Sequence, residues 1–124
     1  MKLFLVVGLG GFLGSSVRFL IQKHFILTVY TSFPYSTFLI NILGSLLFGI
    51  IFGISNRYNV FSTEVRLFLT TGFCGGFTTF STFSNESLML LKEGNYQNFL
   101  IYTILSVVLG IFFTFLGYSL LKII

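Results

Sequence analysis

The chain has 124 residues, of which 55% are hydrophobic and only 8% charged, and its mean hydropathy is +0.98. Soluble domains carry about 25% charged residues, so the composition excludes a soluble globular protein and predicts a single-domain, all-α integral membrane protein. Seven cations against three acids give a net charge of +4, but they are scattered singly, without the basic face that nucleic-acid binding requires.

Cys74 is the one cysteine, which rules out an intrachain disulfide and leaves a small apolar packing residue. The one histidine, His24, has no acidic neighbour and no metal-ligand spacing around it, which argues against an enzyme. Met1-Lys2 before Leu-Phe-Leu-Val-Val resembles the start of a signal peptide. No small-residue cleavage site follows, however, and Arg18 lies near the end of the apolar run, so this stretch reads as a retained first span.

Four apolar segments are long enough to span a bilayer: about Leu3 to Ile21, Ser36 to Ile54, Arg66 to Leu91 and Asn98 to Leu121. In the first, Gly8, Gly10, Gly11, Gly14 and Ser15 form a small-residue strip. Its four-residue spacings, Gly10/Gly14 and Gly11/Ser15, permit close helix approach. The run is not a dinucleotide fingerprint, because Leu13 stands where a third glycine is needed. Arg18 either snorkels to headgroups or faces a vestibule or a partner subunit.

Thr37, Asn41, Ser45, Gly49 and Gly53 recur every four residues in the second segment and share one helical face. Asn41 must find partners within the membrane. It serves either as a glue between helices or, with Thr37 on the same face, as the lining of a polar path.

The third segment, apolar from about Glu64, would be roughly 42 Å long as one straight helix at ~1.5 Å per residue, against a hydrocarbon core ~30 Å thick. Near its middle lie Gly75-Gly76 and then Thr78, Thr79, Ser81 and Thr82. Glycine pairs weaken helices and hydroxyls compete for backbone hydrogen bonds, so a break is expected here. Freed carbonyls at such breaks hold ions. In a chain with 18 phenylalanines, the three-residue spacing of Phe80 and Phe83 carries little by itself. What sets this pair apart is the surrounding hydroxyls, and a phenyl edge is positive enough to attract an anion. Glu86, the one acid well inside an apolar segment, is either functional or close enough to a helix end to reach water.

In the fourth segment Tyr102, Ser106, Gly110 and Thr114 again recur every four residues. Tyr102 is either an interface anchor or a hydroxyl aimed into a polar path, and Tyr118 reads as an anchor. With four spans, Lys2, Arg57, Arg66 and Lys122 share one side and Arg18, Lys23 and Lys92 the other. This balance hardly selects an orientation. A chain without charge bias can insert both ways, which suggests an antiparallel homodimer whose broken third helices meet near a two-fold axis in the membrane plane.

Three motifs then stand together: Gly10-Gly11-x-x-Gly14-x-x-x-Arg18, Asn41-x-x-Gly44-Ser45, and the long run from Gly72 to Ser84 (Gly-Phe-Cys-Gly-Gly-Phe-Thr-Thr-Phe-Ser-Thr-Phe-Ser). The whole chain resembles the CrcB/Fluc family of small fluoride channels, the third motif being the specific one. The resemblance implies a multi-pass protein of the inner (plasma) membrane, a dual-topology homodimer with two fluoride pathways, and passive export that relieves fluoride toxicity. It further implies a structural sodium ion held by the Gly75 and Thr78 carbonyls of both subunits. Phe80 and Phe83 would turn ring edges to fluoride and Asn41 would donate its amide. Ser81, Thr82, Tyr102 and, on the same face as Asn41, Thr37 would line the polar track, with Arg18 at the vestibule or subunit contact. Two rival readings remain: a four-helix proton-coupled drug antiporter, which needs a carboxylate deep in a span, and a non-transporting assembly subunit, which leaves the hydroxyl–phenylalanine cluster unexplained.

Overall fold

A computed structural model describes residues 1–28 and 31–120, with Thr28 described by its backbone alone. Leu121, the expected end of the fourth segment, and Lys122, part of the charge balance, lie outside these residues. Six α-helices follow in order: α1 (Lys2–Thr28), α2 (Tyr35–Tyr58), α3 (Thr63–Leu67), α4 (Gly75–Phe77), α5 (Phe80–Lys92) and α6 (Tyr96–Leu120). A π-helical stretch, Phe68–Cys74, joins α3 to α4. Three of the helices, α1, α2 and α6, are long and apolar enough to cross a membrane.

The helix ends follow from local chemistry. Pro34 precedes α2, and Asn59 closes it with a positive φ of 49°, a conformation that asparagine tolerates. The Ser62 hydroxyl caps α3 by accepting from the Val65 N–H at 3.3 Å. At the end of α5 the Gly94 N–H bonds the Leu91 carbonyl and the Asn95 N–H bonds the Leu90 carbonyl. This pair of bonds requires a left-handed residue between them, and Gly94 supplies it at φ 71°.

α1 continues to Thr28, beyond the boundary expected at Ile21. The polar run Gln22-Lys23-His24 reads as a loop, yet no glycine or proline interrupts the helix before Pro34. The hydrocarbon boundary and the helix end are therefore different places on this chain. α1 packs along the first half of the third segment, and α2 packs along α6. In both pairs glycine brings the backbones together. A Cβ on Gly14 would meet the Phe73 carbonyl, and one on Gly49 would meet that of Thr114. The Gly10/Gly14 strip thus serves the close approach its spacing suggests. Lys2 Nζ lies 3.1 Å from Glu64 Oε1, which places the start of α1 beside the start of α3.

Within the third segment the departure from helix falls later than the glycine pair. Gly75 keeps helical angles, φ −63° and ψ −37°, and a Cβ on Gly76 would meet the Gly11 carbonyl. Gly76 is there for close contact, whereas Gly75 is exposed and open around its Cα. The extended residues are Thr78 (φ −77°, ψ 159°) and Thr79 (φ −150°, ψ 118°). Competition for hydrogen bonds, rather than glycine's flexibility, interrupts the helix.

Candidate functional site

The interruption is organised by Asn41 of α2. Its Oδ1 accepts from the Thr79 N–H at 2.8 Å and its Nδ2 donates to the Thr79 carbonyl at 3.1 Å. A side-chain amide thereby completes both backbone groups of one extended residue, as a neighbouring β-strand would. Thr79 is 8% exposed, so these groups have little water to turn to.

Two carbonyls lose their usual helical donors as a result. The Thr79 N–H would continue the helix onto the Gly75 carbonyl, four residues back, but it goes to Asn41. The Thr82 N–H, the matching donor for Thr78, goes to the Thr79 hydroxyl at 3.2 Å. That hydroxyl caps α5 and lies 3.0 Å from Thr82 Oγ1 and 3.4 Å from Ser81 Oγ. Gly75 and Thr78 also line a cavity of about 250 Å³ with Gly44, Ser45, Cys74 and Thr114.

The aromatic residues form a chain from the start of α5 to α6. Phe80 and Phe83 have ring centroids 5.7 Å apart, and Phe83 and Tyr102 are 5.0 Å apart. Phe33 and Phe38 pack on other sides of Tyr102, which is fully buried. Phe80 is 79% exposed on the single chain. The structure therefore brings Phe80 and Phe83 together but leaves the first of them uncovered.

Beyond Tyr102 lies a polar network that ties four helices together. The Tyr102 hydroxyl donates to Glu86 Oε2 at 2.7 Å, and the Thr37 hydroxyl donates to Glu86 Oε1 at 2.8 Å. Gln22 Nε2 donates to Thr37 Oγ1 at 3.3 Å. Glu86 is therefore held by residues of α2 and α6, and the Tyr102 hydroxyl points inward to a carboxylate. Arg18 is half-buried and joins neither cluster; its Nε has no partner. Ser87 Oγ, Thr103 Oγ1 and Ser106 Oγ are likewise buried without a partner.

Two residues were not legible as site residues. Thr79 lies in the hydroxyl cluster, but nothing local shows that its backbone pairs with Asn41. Gln22 is concealed by the polar run around it. A signal was present, since a helix continued past Ile21 carries Gln22 one turn beyond Arg18, level with the start of α2.

Among the described residues there is no cluster of three His, Cys, Asp or Glu side chains able to hold a metal. Apolar helices of spanning length, joined by a part-buried amide–hydroxyl–carboxylate cluster, define a multi-pass α-helical membrane protein. Residues 5–118 match the family model described as CrcB-like protein, Camphor Resistance (CrcB), and the chain belongs to that family. It is similar to proteins named fluoride-specific ion channel FluC. The one from Phocaeicola vulgatus is 50% identical over 117 residues, covering 94% of this chain and 96% of the relative. That from Leptospira interrogans is 46% identical over 121 residues (98% and 95%), and that from Flavobacterium psychrophilum 43% over 122 residues (98% and 98%).

Proposed function

We propose that this protein is a fluoride-selective channel of the plasma membrane, working as an antiparallel, dual-topology homodimer with two ion paths. The observation that carries this reading is the run of hydroxyls and phenyl rings, ending at the two hydroxyls that hold Glu86. It runs from Ser81, Thr82 and Phe80 at the start of α5, through Phe83, to Tyr102 and Thr37. Fluoride is small and strongly hydrated, so a selective path must replace its water with closely spaced donors. Hydroxyl and amide groups do this without the deep trap that a fixed cation would make. Asn41 uses one amide hydrogen on Thr79 and offers its second to the anion. Ring edges of Phe80 and Phe83 supply positive potential while narrowing the path against larger anions.

The third segment, helical at Thr63–Phe77 and again at Phe80–Lys92, crosses the membrane as one broken helix in this reading. Support for a second subunit comes from groups that one chain leaves incomplete. Phe80 is exposed, Gly75 is exposed, and Arg18, Thr103 and Ser106 carry buried polar atoms without partners. A hard cation fits the Gly75 and Thr78 carbonyls, both deprived of helical donors. Two copies would supply four such oxygens to a shared sodium ion, which would raise the local potential for an anion. Arg18 faces the vestibule or the partner.

The deciding experiment is efflux from liposomes holding the purified protein, with fluoride compared to chloride under a valinomycin-clamped potassium gradient. Rapid fluoride efflux with chloride retained, and loss of that flux in Phe80→Ile, is the expected result. Absence of fluoride flux from a folded dimer overturns the proposal and returns Glu86 to the centre of a proton-coupled transporter.

A further inference from the structure

We propose that Gln22 is a positioning residue of the ion path, acting through Thr37; this rests on the channel reading above. A threonine hydroxyl has one proton and two lone pairs, so its direction is set by what surrounds it. Several hydroxyls in this chain turn back on their own backbone. Ser15, Ser16, Thr70, Thr78, Ser84 and Thr114 each donate to the carbonyl four residues earlier. Thr37 stands in the first turn of α2, where the carbonyl four residues earlier, that of Phe33, lies outside the helix and already accepts from Thr31 and Tyr35. Its hydroxyl donates to Glu86 instead.

Gln22 of α1 fixes which way that hydroxyl points. Its amide nitrogen is a donor only, so the 3.3 Å contact obliges Thr37 Oγ1 to accept there. The hydroxyl's single proton is then left for the side where Glu86 and Tyr102 lie. A one-way chain results, from Gln22 to Thr37 to Glu86, and Tyr102 donates into the same carboxylate from α6. α1, which contributes no other residue to this cluster, thereby fixes the donor direction of a residue on α2. Gln22 thereby keeps the Thr37 proton on Glu86 Oε1 and, through Thr37, helps fix that carboxylate beside the path.

The test is a double-mutant cycle in reconstituted liposomes. Gln22→Leu keeps the size of the side chain and removes the donor, and Thr37→Val removes the hydroxyl. Gln22→Leu is expected to slow fluoride efflux by about 3- to 10-fold, the range one neutral hydrogen bond spans. In the Thr37→Val background the same change is expected to leave the rate unaltered, because the group it acts through is gone. The thermal midpoint of Gln22→Leu in detergent is expected to stay within about 4 °C of wild type, which a packing role would not allow. If Gln22→Leu does not fold, Gln22→Met makes the same comparison with an unbranched side chain. Wild-type flux unaffected by the substitution, or equal losses in both backgrounds, overturns the role of Gln22 alone. No fluoride flux from the wild type overturns the channel reading and this role with it.

Discussion

The pairing of Asn41 with Thr79 can be tested directly by Asn41→Leu, which keeps the number and branching of the side-chain heavy atoms and removes both partners of one buried backbone unit. The Thr79 N–H and carbonyl would each lose a bond, of 2.8 and 3.1 Å. With Thr79 only 8% exposed, water replaces neither well. A buried polar group left without a partner costs about 1–3 kcal/mol, so the pair gives a loss of roughly 2–6 kcal/mol if the backbone keeps its extended form. One escape is open to the chain. The Thr79 N–H can return to the Gly75 carbonyl and close the helix, which recovers one bond and lowers the loss to about 1–3 kcal/mol. That escape removes a carbonyl from the proposed cation site, so conduction fails even where stability is largely kept. The assay is reversible unfolding in mixed micelles alongside fluoride efflux. A change below about 0.5 kcal/mol, well under the cost of one orphaned group, together with intact flux would refute the view that Asn41 holds the break open.

Tyr102→Phe keeps the ring among Phe33, Phe38 and Phe83 but strips Glu86 Oε2 of its donor. We expect a stability loss of about 1–3 kcal/mol by the same unfolding assay, with slower fluoride efflux. Gly14→Val places a side chain against the Phe73 carbonyl and 2.8 Å from the Phe77 nitrogen. Backbone cannot yield as a side-chain tip can, so a loss above the ~1–3 kcal/mol of ordinary overpacking is expected, seen as aggregation on gel filtration. Exchange of sodium for N-methylglucamine during purification is expected to lower the thermal midpoint and the flux together, and restoring sodium should recover both. A protein indifferent to sodium in both measurements would exclude the shared cation.

The parts of the fold that depend on local spacing could be read from the sequence. Gly10 and Gly14 announce a close helix contact, and the crowd of hydroxyls after Gly76 announces trouble for a helix. Thr37, Asn41 and Tyr102 stand out because polar groups inside apolar segments need partners. Who those partners are depends on contacts between segments far apart in the chain, and no periodicity encodes that. Asn41 meets a backbone unit 38 residues away, and Glu86 meets Thr37 across 49. Gln22 was hidden for a different reason. Charge and polarity mark where a chain leaves hydrocarbon, whereas glycine and proline mark where a helix stops, and on α1 these two boundaries are separated by about two turns.

The π-helical stretch at Phe68–Cys74 has a consequence for how this chain can tolerate changes in length. Such a stretch is a helix holding a surplus residue in a widened turn, with the segments on either side kept in phase. Elsewhere in the helices, removing one residue swings everything beyond it by about 100° around the axis and takes each glycine strip off its neighbour. Within Phe68–Cys74 the same deletion, at the exposed Thr71 for instance, is absorbed as the widened turn relaxes to ordinary α-helix. Gly76 stays against Gly11 and the Thr78–Thr79 interruption keeps its bearing toward Asn41. This one turn is the length buffer of an otherwise register-locked bundle.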